Sequence, residues 1–146
     1  MLDIRPISTA DHAAWLPLWQ GYQRFYQADI PAETTALTWQ RFLDEAEPMH
    51  AALAWQDGTA VGLVHFIYHR SCWLKEHSCY LQDLFVAEHI RGGGVGRALI
   101  EHVYAAARAA GGSRVHWLTQ ETNYRGRMLY DRIAERSGFI QYKKEW

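Results

Sequence analysis

Long apolar runs, a surplus of one charge and paired cysteines are all missing from this sequence, and each absence narrows what the chain can be. No stretch of about 18 uninterrupted apolar residues is present to cross a bilayer. The start, Met1-Leu2-Asp3-Ile4-Arg5-Pro6, has an acid where a secretory signal needs an apolar core. A formal net charge of −1 makes no field that would hold nucleic acid or an anionic membrane surface non-specifically. Cys72 and Cys79 are the only cysteines, and their spacing matches no zinc or redox signature, so free thiols in a reducing, cytoplasmic compartment are expected. Repeats, linkers and low-complexity segments are absent as well.

What remains is an ordinary globular composition, 49% hydrophobic and 21% charged over 146 residues, which suits one domain spanning 1–146. Leu2 to Ile7 alternates apolar and polar residues as a half-buried strand does. Ser8 and Thr9 offer capping oxygens. Trp15, Leu18, Trp19, Tyr22, Phe25 and Tyr26 then mark one aromatic helix face, with Pro17 either kinking that helix or sitting near its start. A second helix is expected from about Glu33 to Glu45, stopped by Pro48. Ala51–Trp55 and Val61–Tyr68 read as strands joined by a hairpin at Asp57-Gly58. Tyr80 to Val86 is a further strand, Val95 to Ala110 a helix stopped by Gly111-Gly112, and Val115 to Leu118 a short strand. Asn123 caps a helix running to about Arg136, and Phe139 to Tyr142 reads as a last strand.

The glycines carry the chemistry. Arg91-Gly92-Gly93-Gly94-Val95-Gly96-Arg97 lies where a strand ends and a helix begins, so uncapped N–H groups meet a loop that lets phosphate oxygens approach closely. The helix-end field supplies only about 0.3–2 kcal/mol, so several N–H bonds with Arg91 or Arg97 must hold a pyrophosphate. A Walker loop is excluded because Arg97-Ala98 follows Gly96, and a Rossmann loop because the third glycine is missing. A flexible turn is the plain alternative. His65 and His69 share a strand face but stand about 13 Å apart, too far to share a metal ion, and no metal is expected.

Arg91-Gly92-Gly93-Gly94-Val95-Gly96 resembles the acyl-CoA pyrophosphate loop, Arg/Gln-x-x-Gly-x-Gly/Ala, of the GNAT superfamily of N-acetyltransferases. Leu81-Gln82-Asp83-Leu84-Phe85-Val86 is similar to the strand before that loop in the spermidine/spermine N-acetyltransferase branch. Glu121-Thr122-Asn123, Leu129-Tyr130 and Ser137-Gly138-Phe139 resemble the segment after it. The likeness runs from about Leu2 to Tyr142, strongest from Tyr80 onward. It implies an α/β fold with a mixed, mainly antiparallel twisted sheet, helices on both faces and a splay at the fourth strand that admits acetyl-CoA. It also implies direct acetyl transfer to the primary amine of a small molecule, such as a polyamine or amino acid, and a homodimer.

The resemblance assigns roles by position. Gly92, Gly93, Gly94, Val95 and Gly96, flanked by Arg91 and Arg97, would hold the pyrophosphate. Leu84, Phe85 and Val86 would pair their backbone with the pantetheine arm, Asn123 would bond its amides, and Tyr130 would return a proton to the leaving thiolate. Asn123 as a plain helix cap and Tyr130 as a core aromatic are the competing readings. An alkyl ammonium costs roughly 4 kcal/mol to deprotonate near neutral pH, and the branch's proposed base is a glutamate where this chain has Gln82. Glutamine takes no proton, so Asp83, Glu121 or a histidine acting through water, or the neutral fraction of the substrate, must serve; Gln82 can still hold water or the acceptor. Two rival functions stand beside this one: acetylation of proteins or peptides, and a CoA-binding regulatory module without catalysis.

Overall fold

The computed structural model describes residues 1–90 and 92–146; Arg91, and with it that part of the expected phosphate loop, lies outside the described residues. The elements in chain order are β1 (Leu2–Pro6), α1 (His12–Phe25), α2 (Ala32–Leu43), β2 (Met49–Gln56), β3 (Thr59–His69), β4 (Ser78–Val86), α3 (Val95–Ala109), β5 (Arg114–His116) and α4 (Tyr124–Ile133). Local chemistry sets several of these limits. Ser8 and Asp11 form a reciprocal capping box on the short 3-10 turn that leads into α1, and Pro17 lies inside that helix rather than at its start. The β2–β3 turn places both Asp57 (φ 51°) and Gly58 (φ 81°) in the left-handed region, the conformation that fits the right-handed twist of paired strands.

The sheet runs β1-β2-β3-β4-β5, antiparallel from β1 to β4 and parallel between β4 and β5. One face carries α3 over a core of Ala52, Ala54, Val64, Phe66, Leu81, Leu99, Ile100 and Val103. The other carries α1 and α2 over Trp15, Leu18, Trp19, Trp39, Leu53 and Leu63. Gly62 makes the α3 docking possible, because a Cβ there would stand 3.0 Å from the Phe85 carbonyl oxygen and 3.1 Å from Leu99 Cδ1.

A β-bulge in β4 positions the site. Asp83 pairs with His65 and Leu81 with Phe66, which leaves Gln82 as an extra residue in the ladder. Side chains alternate along a strand, yet Leu81 and Leu84 both pack into the α3 core while Phe85 joins the α1/α2 core. The change of phase falls at Gln82-Asp83, and both of these residues line a cavity on the α1/α2 side.

One expected element does not form. Residues 135–146 contain no strand, and Phe139, Ile140 and Tyr142 are exposed. The apolar-polar alternation there is a genuine strand pattern, but a strand exists only as part of a pair. The β5 ladder is three residues long and no segment of the described chain joins its outer edge. The helix expected to reach about Arg136 likewise ends at Ile133.

Candidate active site

Two cavities meet at the bulge. The first, about 370 Å³, opens where β5 leaves β4: the strands pair only at Ser78–Tyr80, and beyond that point Leu81, Gln82 and Leu84 face Trp117, Leu118, Thr119 and Gln120. Tyr22, Tyr26 and Tyr130 also line it. The second, about 250 Å³, lies between α1, α2 and the sheet, with Trp19, Thr34, Thr38 and Phe42 opposite His65 and Asp83. Tyr22 and Gln82 line both.

The glycine loop leads into α3, whose Ile100 lines the first cavity. Gly92 (φ 95°) and Gly94 (φ 81°) adopt left-handed backbone, and Gly94 is the N-cap of α3 without any side-chain cap. No atom of the described residues lies within 4 Å of where a Gly94 Cβ would stand, so among them the uncapped helix start adjoins open space. A pyrophosphate fits this chemistry: exposed backbone donors, no intruding side chain among the described residues, and the Arg125 guanidinium 3.8 Å from the Cβ position of Gly92. Arg97 is engaged in a 2.9 Å ion pair with Glu101 one turn on.

Among the other residues singled out from sequence, Tyr130 and Leu84 line the first cavity, whereas Phe85 packs in the α1/α2 core and Val86 against the α3 core. Asn123 acts as the α4 cap: its Oδ1 accepts from Gly126 N at 3.2 Å and its Nδ2 donates to Thr119 Oγ1 at 2.9 Å. Glu121 lines neither cavity.

The electrostatics centre on Asp83. Burial raises the phenols of Tyr22, Tyr26 and Tyr80 above their ordinary value, and the Asp83 charge raises them further; Tyr22 also gains from a hydrogen bond to that carboxylate. Tyr130 is raised by burial first and by Tyr26 second. All four phenols therefore remain protonated donors at neutral pH. Asp83 Oδ2 lies 2.8 Å from His65 Nδ1, and Trp15 Nε1 donates to His65 Nε2 at 3.0 Å.

His65, Trp15 and Arg125 are parts of this arrangement that the sequence did not single out as functional, whereas the loop-side end of the aromatic face, with Tyr22 and Tyr26, is the part that the family resemblance would set against the acceptor. The aromatics sit at helical spacing that reads as core. His65 attracts attention only as half of a metal pair with His69, whose own Nδ1 lies 2.8 Å from the Arg70 carbonyl oxygen instead.

Comparison with known proteins agrees with the geometry. A family model described as the acetyltransferase (GNAT) family matches residues 15–134. The chain is 36% identical over 143 residues to the D-amino-acid N-acetyltransferase HPA3 of Saccharomyces cerevisiae, covering 97% of this chain and 89% of that protein. It is 27% identical to the uncharacterized N-acetyltransferase YhfO of Bacillus subtilis, covering 97% and 95%. The fold is similar to the crystal structure of a probable acetyltransferase, with a TM-score of 0.86, 22% identity and coverage of 99% and 97%. With the splayed sheet, the glycine-capped helix and this family match across most of its length, the chain belongs to the GNAT family and is an N-acetyltransferase.

Proposed function

We propose that this enzyme transfers the acetyl group of acetyl-CoA directly to the primary amine of a small molecule. The observation that carries the reading is that two cavities on different sides of β4 share Tyr22 and Gln82, so a donor in one and an acceptor in the other would meet at the bulge. Gly92, Gly93, Gly94, Val95 and Gly96, with Arg125 and Arg97 nearby, would hold the pyrophosphate, and Leu84 to Val86 would flank the pantetheine arm. Acetyl-CoA supplies an activated thioester. Tyr130, kept protonated by its burial, would donate to the departing sulfur.

The amine side follows from the second cavity. Its described lining holds the Asp83 carboxylate and no lysine or arginine, so it favours a cation. Asp83 accepts the ammonium proton while Gln82 orients the nitrogen. One carboxylate suits one ammonium, and the relative named for D-amino acids points the same way, so amino acids stand ahead of the polyamines that the sequence pattern of β4 suggests. The homodimer belongs to the same family-level reading.

Release of free thiol from acetyl-CoA, measured over a panel of D- and L-amino acids, polyamines and basic peptides, tests this. Turnover highest on a single-ammonium small molecule is the expected outcome. A clear preference for peptides would replace the acceptor class, and acetyl-CoA binding without turnover on any acceptor would favour a regulatory module.

A further inference from the structure

The α1/α2 core contains a polar chain that packing alone does not call for. Trp15 is 0% exposed, His65 2% and Asp83 9%, and they are linked in series by the two short bonds described above. An indole N–H can only donate, so His65 Nε2 must carry the lone pair and His65 Nδ1 the hydrogen. The Nδ1–H therefore donates to Asp83 Oδ2. A protonated imidazole would turn a donor toward the Trp15 donor, so Trp15 fixes both the tautomer and the direction of the bond. His65 is also wedged between rings, with centroids 4.6 Å from Phe42 and 5.0 Å from Trp19, and has no freedom to swing away.

A buried carboxylate with a neutral neighbour and no buried cation is an unusual element of a core, because an apolar replacement of similar shape costs little or stabilises. The bulge turns this carboxylate toward the acceptor cavity instead of the α3 core. We propose that His65 is a positioning residue: held by Trp15, it fixes the Asp83 carboxylate in the orientation that receives a proton from the acceptor's ammonium group. In that step an N–H bond of the ammonium breaks, its electron pair stays on nitrogen, and an O–H bond forms on Asp83; the proton later passes to solvent. The inference rests on the acceptor reading of this cavity. The titratable groups facing Asp83 are His65 on β3, Tyr22 and Tyr26 on α1 and Tyr80 on β4, while α2 contributes the uncharged Phe42.

The test compares His65→Leu, which removes the donor, with His65→Asn, whose amide can return an N–H near the position of Nδ1. The Leu variant should lose roughly 10- to 100-fold in kcat/KM for the amine at unchanged KM for acetyl-CoA. Its acidic limb should move to higher pH, because a carboxylate without its N–H donor holds its proton more readily. The Asn variant should recover most of the rate and the original limb. Equal rates and limbs in both variants, or a wild-type profile in the Leu variant, would overturn the proposal. If the Leu variant does not fold, Trp15→Phe serves in its place, with a smaller change of the same sign expected and an unchanged profile counting against the idea. Long-range proton–nitrogen NMR of the wild-type imidazole is independent of turnover. A hydrogen on Nδ1 is expected, and a hydrogen on Nε2 would sink the inference even in an active enzyme. An enzyme inactive on every amine but showing the Nδ1–H form would instead fault the acceptor reading.

Discussion

The cavity beside β5 and the cavity under α1 and α2 are built from different materials. The first opens because of backbone, a strand that stops pairing after Tyr80, while the glycines in left-handed conformation and the uncapped helix start lie outside its lining, at the head of α3. The second is framed by side chains brought from α1, α2, β2, β3 and β4. Backbone features tolerate many side chains and bind what the whole family binds. A side-chain cavity changes with each substitution, and on the proposed reading that is where acceptor choice would reside.

The largest effect that would sharpen this contrast is at Tyr130. Tyr130→Phe keeps the ring that packs edge-on to Trp117 at 5.4 Å and should cost stability only about 0.5–1.5 kcal/mol, against about 10²–10⁴ in kcat for a lost general acid. Stopped-flow turnover with a matched melting curve checks it. Near-normal kcat would reduce Tyr130 to a packing residue.

Next comes Gly94. Gly94→Glu forces a side chain into left-handed backbone and sets a negative charge beside the phosphates, so acetyl-CoA affinity should fall at least tenfold in calorimetry, while Gly94→Asn, which tolerates that conformation, should lose much less. Equal losses would mean that strain in the fold, rather than charge at the phosphate site, decides the result. Amine KM should be unmoved in either variant, since the second cavity does not use this loop.

Gln82 tests the wall that the cavities share. With Asp83 as proton acceptor, Gln82→Glu adds a like charge beside it, and the acidic limb of kcat/KM should move to higher pH. An unmoved limb would mean that Asp83 is not the group that accepts the proton.

The smallest expected effect separates stability from chemistry within β4 itself. Cys79 lies before the bulge in the α3 core, where burial pushes its thiol from 9.0 up to about 12. The unfolded chain therefore releases this proton first. Its contribution to stability is complete below pH 9.0 and is lost as pH rises toward about 12, by at most about 1.4 kcal/mol per pH unit. In alkaline denaturation Cys79→Ala should show a shallower decline, with kcat unchanged. An altered kcat would mean that the α3 face reaches the chemistry after all.

Much of the backbone framework was legible in the sequence because its causes are local. Asp57-Gly58, Gly94 before Val95, and Asn123 before Tyr124 each announce a backbone event within a few residues. The second cavity was not, because its contacts join distant residues: Trp15 to His65 spans 50 positions and His65 to Asp83 spans 18. The bulge left no mark either, since Leu81 to Val86 reads as an unbroken strand and its extra residue appears only against β3. The last strand was misread for a related reason, as Phe139 to Tyr142 has the alternation but finds no strand to pair with among the described residues.

That extra residue also governs how the gene can change. A codon replaced at position 82 alters one side chain, but a codon removed there would leave the two ends of β4 out of step. Either Cys79 and Leu81 would turn toward α1, or Asp83 and Phe85 would be driven into the α3 core. Descendants of this chain can therefore vary the cavity beside the bulge by spelling but not by length.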